Sequence, residues 1–385
     1  MKAKFLSMAA LVALSLGVVS CSDNNDDLEV KSAKESALEA AIDPYVDNTV
    51  LPVYAEMADK AILLSDLCET MQTKHAAGTL TSADVKAAGE AWKASRKAWE
   101  RSEAFLFGPA AQHNIDPHID SWPLDKAAMD DLLTDIRNGK KLDIANNFNY
   151  GLLGFHSVEY LLFELDASEQ NSLVHSLNYT AEELTYLVTV ANDLRDQCVL
   201  LEACWAGMDN ISEAKRKILE DAELDYGEEY GWEMKNAGKA GSRFKSYQDA
   251  AEEVLQGCID IADEVGNVKI GRPNSASSEE DKNYIESPYS LNSIEDFEDN
   301  IISIENSYIG TRSGDKSISD YVKSKDAELD KRLRQAITDS RAAIRAIPEP
   351  FAKNATCDAA DKAVKMVGTD LVDVLTEVYN LLGKY

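Results

Sequence analysis

The chain has 385 residues, 45% of them hydrophobic and 28% charged, with 39 Lys and Arg against 68 Asp and Glu. That length holds about two domains of ordinary size, and only 19 Gly and 9 Pro exclude a collagen-like or low-complexity chain. A formal net charge of -29 excludes nucleic acid as a partner, because phosphate binding needs clustered Lys and Arg, and leaves cations as the natural ligands of an otherwise solubilising acidic exterior.

Lys2 and Lys4 precede an apolar run from Leu6 to Val19 that is too short to span a bilayer, which predicts a signal peptide over residues 1–20. It ends Val18-Val19-Ser20-Cys21, which resembles a bacterial lipobox, so Cys21 is the expected site of lipidation and lipid the expected membrane anchor. Residues 21–32 read as a polar tether, similar at Ser22-Asp23-Asn24-Asn25-Asp26-Asp27 to the surface-export signals of Bacteroidetes lipoproteins. The expected location is the cell envelope, on the outer membrane, either periplasmic or surface-exposed. Removing residues 1–20 takes away two Lys and no acid, which leaves the mature chain at -31.

Beyond the tether, apolar residues recur at three and four, and strand-like alternation is scarce, so the expected fold class is all-α. The pattern predicts helices near 33–75, interrupted around Pro44 and Pro52, then 82–107, 125–137, 151–165, 181–205, 245–266, 292–309, 326–346 and 355–383. Turn formers predict loops at 108–123 and 266–288. Glu103 to Gly108 (EAFLFG) is echoed by Glu305 to Gly310 (ENSYIG), each after one long helix. The echo suggests two helical bundles, 33–208 and 209–385, with or without an internal duplication. Five cysteines remain after Cys21, an odd number at spacings that match no zinc pattern, and are read as mostly buried free thiols.

The informative segment is Gly151 to Glu164, GLLGFHSVEYLLFE, apolar nearly all round and therefore a buried helix. His156 and Glu159 stand three apart on one face, where burial demands a partner for each, either a hydrogen bond, an ion pair or a metal. On an earlier helix Glu100 and Glu103 also stand three apart, one turn beyond Arg96 and next to Trp99. Facing carboxylates and His-x-x-Glu can build a metal site in a bundle, with zinc, iron and manganese all compatible. The competing reading pairs Arg96 with Glu100 at i,i+4 and leaves Glu103 at a loop. His113 and His118, with Asp116 and Asp120, read as a solvated loop or a surface metal site.

Gly154-x-His156-x-x-Glu159 is similar to the GxHxxE signature of the imelysin family, bacterial envelope proteins classed as metallopeptidases. Three further stretches carry the likeness. Trp92-x-x-x-Arg96-x-x-Trp99-Glu100-x-x-Glu103 with Phe105-Leu106-Phe107-Gly108 resembles the family's Trp, Arg, Glu helix, and Ser121-Trp122-Pro123-Leu124-Asp125 its WP-x-D turn. Glu286-Ser287-Pro288-Tyr289-Ser290, Asn292-Ser293, Asp296-Phe297, Asn300-Ile301 and Tyr308-x-Gly310 resemble its C-terminal signature. The resemblance covers most of residues 35–385. It implies two helical bundles with the site where they meet, and kinship with the metal-binding domain of periplasmic iron-uptake components. Carried over residue by residue, His156, Glu159, Glu103 and Glu100 are the implied metal ligands. Arg96, Asp296, Ser287, Ser290 and Tyr308 are implied to line the cleft or to lock the bundles together. The implied cofactor is a divalent or trivalent metal ion, iron before zinc, and the implied partners are envelope iron-transport components.

The leading expectation is a lipid-anchored envelope protein that binds a metal and serves in iron uptake. A metallopeptidase using the same His-x-x-Glu is the alternative, although there is no His-Glu-x-x-His and the catalytic set looks incomplete. No Gly-x-Ser-x-Gly elbow or Cys-His nucleophile pattern appears. A non-catalytic scaffold or partner-binding lipoprotein is the third reading.

Overall fold

Proline placement decides how the chain begins. A computed structural model describes residues 32–384, so the signal peptide, Cys21 and most of the tether lie outside the described residues. Ala33–Pro44 is the first helix, capped by the Ser32 side chain, and the path continues through a π-wound turn, Tyr45–Val50, into Leu51–Ala76. The prolines do not break this path: Pro52 falls in the first turn of its helix, where the missing N–H has no bond to lose.

Ser82–Glu100 starts at a capping box between Thr81 and Asp84 and buries Val85, Ala88, Trp92 and Trp99 along one face. It ends seven residues before the predicted Phe107. The chain tightens into a 3-10 turn at Glu103–Phe105 and then reverses at Gly108, whose φ of 67° is left-handed and whose Cβ position lies 2.5 Å from the Tyr230 ring. Glu103 therefore leaves the helical face of Glu100. The predicted loop at 108–123 holds two short helices, Pro109–Gln112 and Ile115–Asp120. Lys126–Arg137 follows.

Gly154–Leu162 is the buried helix expected from its composition. Residues expected to extend it instead form a small antiparallel hairpin, Phe163–Leu165 with Ser172–Val174, paired Phe163 to Val174. Ala181–Ala206, capped by Thr180 and Glu183, packs against both Leu51–Ala76 and Gly154–Leu162.

In the second half Tyr247–Asp263 packs against Ser293–Ile309 and Val372–Leu382, and Ser293–Ile309 against Ala327–Arg345. Helices of this half that were not foreseen include Glu213–Asp221, Tyr230–Lys235 and Ile318–Lys325, with the short Glu279–Lys282 and Phe351–Asn354. The predicted loop from Gly266 is helical as far as Ser275, first as a π-wound segment, Glu264–Ile270. A second such segment, Met366–Leu371, crosses it so closely that a Cβ on Gly266 would lie 2.2 Å from the Gly368 nitrogen. Ser82–Glu100 packs on Ser293–Ile309, and the 33–44 helix reaches over to Tyr247–Asp263 and Ile318–Lys325. The all-α class holds, with one two-stranded sheet among the described residues. Of the internal echo, what the two stretches share in structure is a terminating glycine with positive φ, Gly108 at 67° and Gly310 at 86°. Cys68, Cys198, Cys204 and Cys258 are buried free thiols and Cys357 is half-buried, as read from their number and spacing.

Candidate metal centre in a buried ion network

Arg96 organises the centre. It is fully buried and its guanidinium reaches Glu100 at 2.5 Å, Glu286 at 2.7 Å, Asp296 at 3.4 Å and Asp120. Burial by itself would favour the neutral form, yet Asp120, Glu100, Asp296 and Glu286 hold the guanidinium well above its ordinary value. The i,i+4 pair with Glu100 is present, as one arm of a four-carboxylate clamp drawn from both halves of the chain. Lys269, on the π-wound segment, is the second buried cation. Its Nζ lies 3.1 Å from Glu286, 3.5 Å from Glu103 and 3.7 Å from Glu100. Glu100 also accepts from Asn300 Nδ2 at 2.5 Å.

His156 sits between two acids. Nε2 is 3.0 Å from Asp120 Oδ1 and Nδ1 is 3.5 Å from Glu159 Oε2, both off the line of a hydrogen bond. Glu159 turns its other oxygen to the second half of the chain, where it accepts from the backbone N–H of Tyr289 at 3.0 Å and of Ser290 at 2.7 Å, and from the Ser290 hydroxyl at 2.7 Å. Asp120 accepts from Trp99 Nε1 at 2.8 Å. Ser287 Oγ and Asn292 Nδ2 each donate to Asp296 at 2.5 Å. The Trp122 ring lies 4.5 Å from the imidazole.

Burial sets the electrostatics. It pushes Glu100 and Glu103 well above the usual carboxylate range, against the pull of Arg96 and Lys269. It raises Asp116 to about 7, with Asp120 and Glu264 adding repulsion, and Asp296 to about 6 against the pull of Arg96. Asp120 goes the other way: burial opposes its charge, but Arg96 and His156 hold it well below the usual range. For His156 burial opposes the proton, and Asp120 and Glu159 outweigh it and raise the imidazole to about 9. A raised imidazole contributes stability that is fully present below its unfolded value of about 6.5 and is lost as pH rises through 9. Metal-free protein is therefore expected to lose up to about 3 kcal/mol between pH 6.5 and 9, read from urea midpoints, while His156→Gln is expected to lose much less over that window.

Two groups of ligand atoms converge within 4.8 Å of one another: Asp120, His156 and Glu286, and Glu100, Glu103 and Asp120. Asp120 belongs to both. They edge a cavity of about 580 Å³ whose wall carries Glu103, Asp116, Asp120, Glu264, Lys269 and Glu286.

Of the residues named from sequence, His156 and the pair Glu100 and Glu103 fall into separate groups, and Glu159 falls into neither. Its carboxylate is engaged by Tyr289 and Ser290 instead. Arg96, Asp296, Ser287 and Ser290 lie in the network around the groups. Tyr308 does not: it stands twelve residues along its helix from Asp296, about 18 Å by helical rise, and donates to Asp330 at 2.9 Å. Glu286 was not singled out as a ligand, and Asp120 was named only with His113, His118 and Asp116, as a solvated loop or a surface metal site. The stretch 113–120 reads as a solvated loop, yet Asp116 and Asp120 turn into the cavity while His113 and His118 pair outward with Glu228 and Asp193. The available signal was position: Asp120 stands two residues before Trp122-Pro123, and Glu286 opens the Glu-Ser-Pro stretch.

Residues 50–381 match the sequence model of the family described as Imelysin. Iron-regulated protein A of Synechococcus elongatus is 28% identical over 339 residues, which are 86% of this chain and 82% of that protein. The crystal structure of an iron-regulated protein A precursor from Parabacteroides distasonis superposes with a TM-score of 0.76 at 27% identity, covering 91% of this chain and 96% of that one. An imelysin-like protein from Psychrobacter arcticum shares the fold at 17% identity, with a TM-score of 0.57 over 92% of this chain and 95% of that one. Family match, relatives and shared fold agree, and the chain belongs to the imelysin family.

Proposed function

We propose that this chain binds a metal cation at Asp120, His156 and Glu286, and that it does so as a lipid-anchored envelope protein of iron uptake whose two helical bundles meet at the site. The observation that carries the reading is a buried convergence of donors: Asp120, His156 and Glu286 each offer a ligand atom within 4.8 Å of the others, His156 and Glu286 are 1% and 5% exposed, and Glu286 Oε2 is buried without a hydrogen-bond partner. An imidazole with two carboxylates suits iron, zinc or manganese, and a cation there would replace the imidazole proton that faces Asp120 and satisfy the free Glu286 oxygen. The names of the Synechococcus and Parabacteroides relatives favour iron. Export and anchoring rest on the signal sequence and Cys21. Among the described residues no helix is long and apolar enough to cross a membrane.

The second group, Glu100, Glu103 and Asp120, already faces the Lys269 ammonium, which occupies the place of a cation there. Bound at the first group, a metal supplies a Lewis-acidic centre. The chain's own residues hold its ligands in place: Trp99 orients Asp120, Arg96 and Lys269 fix Glu286, and Trp122 covers the imidazole.

Elemental analysis of purified mature protein is expected to find about one equivalent of iron or zinc in wild type and less than a tenth of that in His156→Ala with Glu286→Gln. Equal metal in both would overturn the reading.

Peptide cleavage is the second reading, and Asp116 is the observation for it. Its carboxyl, raised to about 7 on the cavity wall, has the proton affinity of a water-activating base. Chelator-sensitive cleavage of a peptide library that is lost in Asp116→Asn would establish it.

A further inference from the structure

Trp122 lines two cavities. One is the acidic cavity. The other is a separate cavity of about 490 Å³, a size that suits a small organic ligand. The second cavity has the opposite character. Leu124, Leu165, Ile285, Leu291 and Tyr289 form an apolar lining, and Lys126, Lys282 and Lys353 stand around it from three separate stretches of the chain, with Glu169 the one acid in its wall. In a protein with 39 basic and 68 acidic residues, three cations to one anion around a cavity run against the composition.

We infer that this cavity is a second binding site, for an organic anion with an aromatic or acyl body. Charge complementarity selects the sign of the ligand and the apolar lining selects its body. The lysines are available to it: each pairs with a single carboxylate, Lys126 with Asp130, Lys282 with Glu279 and Lys353 with Glu169, and every partner in these pairs is 40% exposed or more. Such exposed pairs contribute little, so a ligand carboxylate or sulfonate can replace the protein's own.

The backbone of the wall is strained as ligand clamps often are. Ser287 and Leu291 hold φ of 49° and 59°, in the left-handed region that side chains disfavour, and they bracket Pro288, Tyr289 and Ser290. That short segment lines the cavity through Pro288 and Tyr289 while Tyr289 and Ser290 donate to Glu159. Trp122, whose ring also lies 4.5 Å from His156, is the residue common to the two linings.

The test uses 8-anilinonaphthalene-1-sulfonate and its uncharged parent N-phenyl-1-naphthylamine on EDTA-treated full mature protein, so that the outcome is independent of any metal. The sulfonate is expected to bind one saturable site by calorimetry, with energy transfer from tryptophan that falls in Trp122→Phe. Lys126→Glu with Lys353→Glu, both on the surface and checked for unchanged melting, is expected to weaken the sulfonate at least about tenfold and the neutral parent less than about twofold. Sulfonate affinity unchanged in the double variant overturns the inference, as does equal weakening of both probes or binding that never saturates.

Discussion

Gly154→Ala is expected to destabilise the protein by about 3 kcal/mol or more and to strip the centre of Asp120. Gly154 opens the buried helix with φ of 71°, and a Cβ built on it would lie 2.1 Å from the carbonyl oxygen of Ile119, 2.6 Å from its carbon and 2.8 Å from the carbonyl oxygen of His118. All three are backbone atoms of the short helix that carries Asp120, so no side-chain rotation relieves the clash. Overpacking of this kind costs about 1–3 kcal/mol, and the left-handed backbone adds about 1–2 for a residue with a Cβ. Gly78→Ala isolates the second contribution, because Gly78 has φ of 68° with nothing within 4 Å of its Cβ position. Urea midpoints should place Gly154→Ala at least about 2 kcal/mol below Gly78→Ala. Equal values would mean that the two helices need not approach so closely. The first residue of Gly-x-His-x-x-Glu is thus explained by contact with the helix that supplies the imidazole's acidic partner.

Arg96→Met is expected to cost about 3–5 kcal/mol, the range for removing one partner of a buried ion pair. Glu100, Asp120, Glu286 and Asp296 would lose their common cation, leaving Lys269 and His156 as the remaining buried positive charges around them. Arg96→Lys should recover little of this, since one ammonium cannot fork to four carboxylates. The pH dependence carries the sign. Asp296 is raised to about 6 and Glu100 is raised further above its usual range even with Arg96 present, and losing the guanidinium raises both again. Carboxyls raised on folding contribute stability that is fully present below their unfolded values near 4 and is lost as pH rises through the folded ones. The deficit of Arg96→Met relative to wild type should therefore shrink as pH falls from 8 to 5, in urea titrations at each pH. A deficit constant over that interval would mean that the carboxylates find other compensation.

The helical class was legible because it is a local property. Apolar spacing of three and four, the caps at Thr81 and Thr180, and the glycines that end helices act within a few residues of one another. Burial of the Gly151–Glu164 segment was legible for the same reason: it has no polar face to leave in water. The short helices at 109–120 and the hairpin at 163–174 were missed because their residues favour turns or helix locally, and contacts with distant helices decide otherwise. The π-wound segment that places Lys269 lacks any local sequence mark beyond Gly266, which is there to pass Gly368.

By itself the sequence determined that His156 and Glu159 are buried polar groups, because a helix apolar nearly all round leaves them nowhere else to go, and it set Glu100 beside Arg96 in aromatic surroundings. It could not determine which of them meet. Three-residue spacing puts His156 beside Glu159 and four-residue spacing puts Arg96 near Glu100, but the acid that completes the imidazole's surroundings comes from a segment that looks like a loop, and the next from residue 286. Only the tertiary structure brought Asp120 and Glu286 to His156 and fastened the other oxygen of Glu159 to the Tyr289 and Ser290 amides. The physical reason is range: burial is set by the residues of one helix, whereas convergence of charges depends on how helices cross, which is decided by packing along the whole chain.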